Sequence, residues 1–204
     1  MSDSILIGTA NQGKFSEFKV LFSKLPYQLM SLKNAGINEV VEETGSTFSE
    51  NAIIKAEHYS KLSGCLTIAD DSGLEVDVLG GAPGVFSARY AGENATDNQK
   101  VNFLLNRLKR FKMPWIARFH CVIAIAHPNL DTKTFEGICE GEIIPKASGQ
   151  NGFGYDPVFY VHKHHQTLGQ LSREEKNSIS HRGLAALKVE EFLLTCSKIH
   201  NRLF

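Results

Sequence analysis

The chain has 204 residues, a length typical of one large domain, and a chain of this size needs no disulfide or structural metal to fold. Hydrophobic residues make up 42% and charged residues 22% of the chain, which excludes fibrous, low-complexity and disordered proteins. Lys plus Arg and Asp plus Glu both number 22, and a formal net charge of zero argues against a general nucleic-acid binder.

Targeting and membrane segments are not evident in the sequence. No apolar run approaches the roughly 18 residues of a membrane-spanning helix. The first residues, Met1 to Ser4, lack the basic region that opens a signal peptide. We therefore expect a cytoplasmic protein without a membrane partner. Its cysteines are widely spaced, with no CxxC, so we expect free, buried thiols at Cys65, Cys121, Cys139 and Cys196.

The first half of the chain alternates strands and helices. Ser4 to Thr9 predicts a short strand, and a polar loop then leads into a helix that begins at Lys14 and closes at Pro26. Gln28 to Leu32 predicts a second strand. A second helix has Ser46 or Thr47 as its N-cap and ends at Gly64. The strand that follows, Leu66 to Ala69, is expected to end at Asp70.

The second half predicts a hairpin between helices. Thr96 or Asp97 caps a third helix, and residues 117–126 and 133–144 predict two long strands joined at Pro128-Asn129. A short strand over 158–161, a capping box that begins at Ser172, and a helix over 182–196 complete the chain. The order indicates an α/β fold with a mixed sheet, and a second lobe around the hairpin is possible.

The first loop has the properties of a phosphate site. A helix N-terminus offers unpaired N–H groups and a positive dipole end. Gly13 permits close backbone approach, Lys14 adds charge, and Thr9 and Asn11 add hydrogen bonds. An ordinary turn with a solvated lysine remains the alternative.

Two acidic pairs predict a cation site. Asp70 and Asp71 follow a buried strand, and adjacent buried carboxylates repel each other unless a cation joins them. Oxygen ligands favour Mg²⁺, and one glutamate of the Glu42-Glu43 pair could complete the site, leaving a carboxylate to take a proton from water. A polar strand end and a solvated loop are the alternatives.

Further candidate residues lie later in the chain. Lys55 shares a helix face with Asn51 and Tyr59 and could reach a phosphate, or it could simply be exposed. Residues 149–157 place two aromatic side chains among glycines beside an acid, which suits a nucleobase or a packed hairpin loop. Lys176 and the 180–183 segment form a basic cluster near helix ends. The histidines at 162, 164 and 165 are typical of a surface loop, since no matching Cys/His set accompanies them.

Together these motifs resemble the RdgB, or inosine triphosphate pyrophosphatase, family from residue 5 to about 193. The motifs occur in the family's order: TANQGK (9–14), EETGxTFxENA (42–52), ADDSGL (69–74), LGGAPGVxSARYAG (79–92), ARFHC (117–121), GFGYDPxF (152–159) and EKNxISHRG (175–183). Ala10 stands where many members have Gly or Ser, and it is small enough to be tolerated.

The resemblance implies a house-cleaning enzyme that hydrolyses dITP, ITP and XTP to the monophosphate and pyrophosphate with Mg²⁺. It further implies an elongated mixed sheet with two lobes around a central cleft, one domain over residues 1–204, and a homodimer. It implies metal ligands at Glu42 and Asp71, with Asp71 as the proton acceptor. The implied substrate contacts are Thr9, Ala10, Asn11, Gln12, Gly13, Lys14, Lys55, Ser72, Phe153, Gly154, Tyr155, Asp156, Lys176, His181 and Arg182.

Three other functions fit part of the sequence. A phosphatase or kinase would use the same phosphate loop but release a different product. A non-catalytic purine nucleotide sensor would keep the pocket without turnover. A DNA-binding repair protein is disfavoured by the zero net charge.

Overall fold

A computed structural model describes residues 4–199, with side chains described as far as residue 195. The strands are β1 Ser4–Ile7, β2 Gln28–Ser31, β3 Thr67–Val76, β4 Trp115–His127, β5 Leu130–Ile143, β6 Phe159–Val161 and β7 Gln166–Thr167. The helices are α1 Gln12–Leu21, α2 Phe48–Ser63, α3 Asp97–Leu108, α4 Arg173–Ile179 and α5 His181–Ile199.

The strands form one sheet in the order β2-β1-β3-β4-β5-β6-β7. β1 pairs in parallel with both β2 and β3, whereas β6 pairs antiparallel with both β5 and β7. β4 and β5 are neighbours joined through Pro128 and Asn129, which is the predicted hairpin. The predicted α/β fold with a mixed sheet is therefore confirmed.

Side-chain caps fix where three helices begin. Thr47 is the N-cap of α2, and it forms a capping box with Glu50. Thr96 and Ser172 form the equivalent boxes at α3 and α4. The alternative cap, Ser46, instead donates from its hydroxyl to Glu50 Oε2 at 2.8 Å. Each box satisfies N–H groups that a helix start otherwise leaves unpaired.

The predicted end of the third strand at Asp70 is wrong. β3 continues through Asp70, Asp71 and Ser72 to Val76. Both aspartates are buried, and each lies beside basic or amide side chains that satisfy its carboxylate. Because these partners come from elsewhere in the sequence, the polar residues interrupt the apolar pattern without interrupting the strand.

Two compact units can be distinguished in the chain. The first contains residues 4–71, 121–137 and 182–199, and its core includes Ile7, Phe18, Ile68 and Val189. The second contains residues 72–120 and 138–181. Its core includes, among others, Leu74, Leu104, Phe119, Tyr155 and Phe159. The central cleft and the single domain over residues 1–204 stay predictions.

The helix starts and the cysteines show smaller differences from the sequence predictions. α1 begins at Gln12 rather than Lys14, and α5 begins at His181 rather than Arg182. Cys121 and Cys139 are buried free thiols, and Cys65 is free and half-buried. The side chain of Cys196 lies outside the described residues. None of the helices within residues 4–199 is long and apolar enough to cross a membrane.

Candidate active site

The loop between β1 and α1 is organised by its own side chains. Asn11 is the N-cap of α1, and its Oδ1 accepts from the Lys14 amide at 3.0 Å. Thr9 Oγ1 accepts from the Asn11 amide at 3.2 Å. Gln12 and Gly13 are the first two residues of the helix, where backbone N–H groups have no acceptor within the helix. The predicted helix N-terminus is thus formed, with Ala10, Asn11 and Gln12 exposed, and its binding of a phosphate stays a prediction.

The basic side chains at this end of the unit converge on Asp70. Lys14 Nζ lies 3.0 Å from Asp70 Oδ2, and Arg182 donates to the same oxygen from Nε and Nη2 at 3.2 and 3.1 Å. Arg182 Nη1 also lies 2.5 Å from Glu17 Oε2. Burial opposes ionisation of Asp70, but Lys14 and Arg182 outweigh that effect and hold its pKa well below the ordinary value. Arg182, predicted to touch substrate, is fully buried and held by these acids.

Asp71 points toward a different set of partners. Its Oδ2 accepts from Asn51 Nδ2 at 3.1 Å, and its Oδ1 lies 3.4 Å from Lys55 Nζ. The side chain keeps 7% of its surface exposed. Burial raises the pKa of Asp71, against the opposing effects of Lys55 and Lys14. A carboxylate whose pKa is raised is a stronger base, which suits the predicted proton acceptor.

The loop before α2 brings Glu43 rather than Glu42 to this carboxylate. Glu43 Oε1 lies 2.5 Å from Lys55 Nζ, so that Lys55 bridges Glu43 and Asp71. Burial works against the charged form of Lys55, but Asp71, Asp70 and Glu43 outweigh it and raise its pKa. Glu42 is exposed, and among the described contacts none joins it to Asp71. Glu42 as a metal ligand stays a prediction, and the contacts favour its neighbour.

The donor set fits a hard cation such as Mg²⁺ if water and substrate phosphates supply its other ligands. Asp71 and Glu43 supply carboxylate oxygens beside one lysine. Within residues 4–199, no group of three or more acidic, His or Cys side chains could hold a metal ion. Mg²⁺ commonly binds through one or two carboxylates together with waters and substrate phosphates, so two carboxylates are sufficient for that mode.

The second unit holds the aromatic loop and its lysine. Lys176 Nζ lies 2.7 Å from Asp156 Oδ2, and both side chains are buried. The same oxygen accepts from the Phe153 amide at 2.9 Å. The Lys176 ammonium also lies 4.9 Å from the centre of the half-exposed Phe153 ring. At Gly152, φ is +76°, and a Cβ would collide with the Asp156 carboxylate.

Two contacts fix the middle of this loop. The Gly154 amide donates to Asp97 Oδ2 at 2.7 Å, at the first turn of α3. The Tyr155 hydroxyl donates to the Ser87 carbonyl at 3.0 Å, and its ring is buried. Tyr155 therefore packs within its own unit, and its contact with substrate stays a prediction. Phe153 and Gly154 remain half-exposed.

The remaining predicted residues also belong to the second unit. His181 is 5% exposed, and its ring stacks on Phe119 with centroids 4.7 Å apart. Ser72 is half-buried in β3, directly after Asp71.

Sequence reasoning missed two residues that complete these clusters. Glu17 has no local signal that connects it to Arg182, which is 165 residues away. Asn51 shares a helix face with Lys55, and this spacing is the signal in the sequence that could have identified Asn51 as a site residue. Its amide contacts both Asp71 and the Gly45 amide.

Comparisons with known proteins agree with the predicted resemblance. The model of the Ham1 family matches residues 5–192. A dITP/XTP pyrophosphatase of Bacillus licheniformis is 50% identical over 190 residues, which are 93% of this chain and 97% of that protein. One of Bacillus subtilis is 47% identical over 189 residues, 92% and 96% of the two chains.

Solved structures show the same relationship. The Ham1 protein of Staphylococcus aureus has a TM-score of 0.85 and 47% identity, covering 94% of this chain and 98% of that one. A HAM1 protein from Coxiella burnetii has a TM-score of 0.87 and 42% identity, covering 96% and 100%. The chain therefore belongs to the Ham1 family.

Proposed function

We propose that this chain hydrolyses non-canonical purine nucleoside triphosphates, of the dITP, ITP and XTP type, to the monophosphate and pyrophosphate. The observation that carries the proposal is Asp71, buried beside Asn51, Lys55 and Glu43. The names of the relatives, dITP/XTP pyrophosphatase, support the substrate class and the reaction.

The first unit supplies groups suited to the triphosphate. The Gln12 and Gly13 amides at the start of α1 suit phosphate oxygens, and Lys14 lies close beside them. Asn11 orients the loop by capping the Lys14 amide. Arg182 contributes through Asp70, since its guanidinium is engaged with that carboxylate.

Asp71 is the group that takes the proton of the attacking water. The water oxygen forms a bond to the α-phosphorus, the bond between that phosphorus and the bridging oxygen breaks, and pyrophosphate leaves. Lys55 stabilises negative charge near Asp71 Oδ1. Bound Mg²⁺, held by Asp71 and Glu43, would supply charge neutralisation on the phosphates.

The second unit supplies groups suited to the base. Phe153 offers a half-exposed aromatic face, and Asp156 with Lys176 fixes the loop that carries it. Hypoxanthine and xanthine have a 6-oxo group where adenine has an amine. A donor such as His181 or a backbone N–H favours the oxo form, and an unpaired donor facing an amine costs roughly 1–3 kcal/mol.

The cellular setting is part of the same proposal. As a house-cleaning enzyme, the chain would act in the cytoplasm as a homodimer and would clear these triphosphates from the nucleotide pool. Support for both points comes from the family resemblance. Light scattering coupled to size exclusion tests the dimer, because a single species at 22.6 kDa would contradict it.

Identification of the phosphorus products tests the reaction itself. The purified protein is incubated with dITP and Mg²⁺, and the products are resolved by ³¹P NMR. We expect dIMP and pyrophosphate. Orthophosphate would indicate a phosphatase, and tight nucleotide binding without any product would indicate a sensor.

A further inference from the structure

The Asn51 amide makes two hydrogen bonds in the interior of the first unit. Its Oδ1 accepts from the Gly45 amide at 2.8 Å, and its Nδ2 donates to Asp71 Oδ2 at 3.1 Å. The residue is 1% exposed. An amide buried this deeply is held in one orientation, because rotation would lose both bonds.

The amide makes the two oxygens of Asp71 unequal. Oδ2 faces the Asn51 donor, and Oδ1 faces the Lys55 ammonium at 3.4 Å. A carboxylate with both oxygens held in this way cannot turn freely about its Cβ–Cγ bond. Its remaining lone pairs therefore keep fixed directions.

Asn51 also joins the loop of Glu43 to the strand of Asp71. Gly45 lies two residues after Glu43, and its backbone amide donates a hydrogen bond to Asn51 Oδ1. A Cβ at Gly45 would lie 2.7 Å from that oxygen, so the close approach depends on glycine. Asn51 is carried on the first turn of α2.

We propose that Asn51 is a positioning residue for hydrolysis: its amide sets the orientation of the Asp71 carboxylate and ties the Glu43 loop to it. This inference rests on the proposed function. The Asn51 amide is engaged with Gly45 and Asp71, so its effect on the reaction passes through the Asp71 carboxylate. It acts by holding the proton acceptor in the geometry that transfer needs.

Asn51→Asp keeps one of the two hydrogen bonds of the Asn51 side chain and removes the other. The new carboxylate still accepts from the Gly45 amide, but it can no longer donate to Asp71 and it repels that carboxylate. We expect kcat for dITP to fall roughly 10- to 100-fold, the range for partners that orient a catalytic group. We expect KM to change by less than about threefold, since the phosphate loop and the aromatic loop are untouched.

Thr47→Ala is the matched control on the same helix. It removes the capping hydroxyl of α2, which accepts from the Glu50 amide, but leaves the Asn51 amide in place. The melting temperature should fall by about 2–4 °C, with kcat within about twofold of the wild type. Asn51→Ala, which keeps a good helix former, replaces Asn51→Asp if the added charge prevents folding.

The combination of kcat, KM and thermal unfolding separates the outcomes. The inference is supported if kcat falls more in the Asn51 variants than in Thr47→Ala, when the variants compared have equal melting temperatures. Wild-type kcat in a folded Asn51 variant, or the same loss in Thr47→Ala, overturns it while leaving the proposed function intact. A wild-type protein that does not hydrolyse dITP overturns both.

Discussion

The Lys14 ammonium lies 3.0 Å from Asp70 Oδ2, on a carboxylate that is completely buried. Lys14 follows the first two residues of α1, whose amides we propose as phosphate contacts, and its side chain keeps 15% of its surface exposed. The Asp70 carboxylate therefore holds the Lys14 side chain in place through an ion pair. Under the proposed function, a phosphate bound at the loop would meet an ammonium that is already in position.

Removing the charge of Asp70 should destabilise the fold. Asp70→Asn removes the charged partner that the fully buried Arg182 guanidinium contacts through Nε and Nη2. Breaking one side of a buried ion pair costs about 3–5 kcal/mol. We expect the free energy of unfolding in urea to fall by this amount, compared with less than about 0.5 kcal/mol for the exposed Asp131→Asn. Equal stability of the two variants would contradict the role of the pair.

Much of the fold follows from local patterns in the sequence. Caps, glycines and apolar spacing predict α2, α3, the hairpin and the first two strands within a few residues. The sequence predicts the end of β3 at the wrong residue, because two adjacent acidic residues such as Asp70 and Asp71 are typical of the end of a strand. Only their partners, Lys14 and Arg182 for one and Asn51 and Lys55 for the other, explain why buried acids continue a strand.

The candidate site is less predictable than the fold. Glu42 and Glu43 are adjacent in an irregular loop, where no periodicity indicates which side chain faces inward. The contact between Lys55 and Glu43 depends on the path of that loop. The pairing of Glu17 with Arg182 joins residues far apart in the chain, and a single sequence contains no local signal for it.

The two neighbouring glutamates should differ in their effect on turnover. Glu43→Gln removes the carboxylate beside Lys55, and we expect activity on dITP to fall roughly 10- to 100-fold with a higher Mg²⁺ requirement. Glu42→Gln changes an exposed side chain and should stay within about twofold. A titration of rate against Mg²⁺ concentration measures both. The reverse order of effects would restore Glu42 as the ligand.

The aromatic face of Phe153 should matter for substrate binding. Stacking of a base on an aromatic ring contributes about 1–3 kcal/mol, so Phe153→Ala should raise KM for dITP roughly 10-fold with a smaller change in kcat. Phe86→Ala, at an exposed phenylalanine of the same unit, is the control. An unchanged KM in Phe153→Ala would show that the base does not use this ring.

The protein should lose stability in alkaline solution. Burial raises the pKa of Cys139 from 9.0 to about 11. The folded state then binds more protons than the unfolded state above pH 9, so the free energy of unfolding falls as pH rises toward 11. We expect Cys139→Ala to reduce that fall by about 1–2 kcal/mol between pH 8 and 10.5, measured by urea unfolding. Identical pH dependence in both proteins would contradict this assignment.

The most direct measurement compares the wild type with Asp71→Asn on dITP and Mg²⁺, with dATP and dGTP in parallel. The asparagine keeps an oxygen that can accept from Asn51 Nδ2, so the variant should fold with an unchanged circular dichroism spectrum. It should still bind dITP but lose roughly 10²- to 10⁴-fold in rate, the contribution of a general base. The wild type should release dIMP and pyrophosphate from dITP far faster than it hydrolyses the controls. A folded Asp71→Asn variant with wild-type rates, or equal turnover of all three nucleotides, would contradict the account.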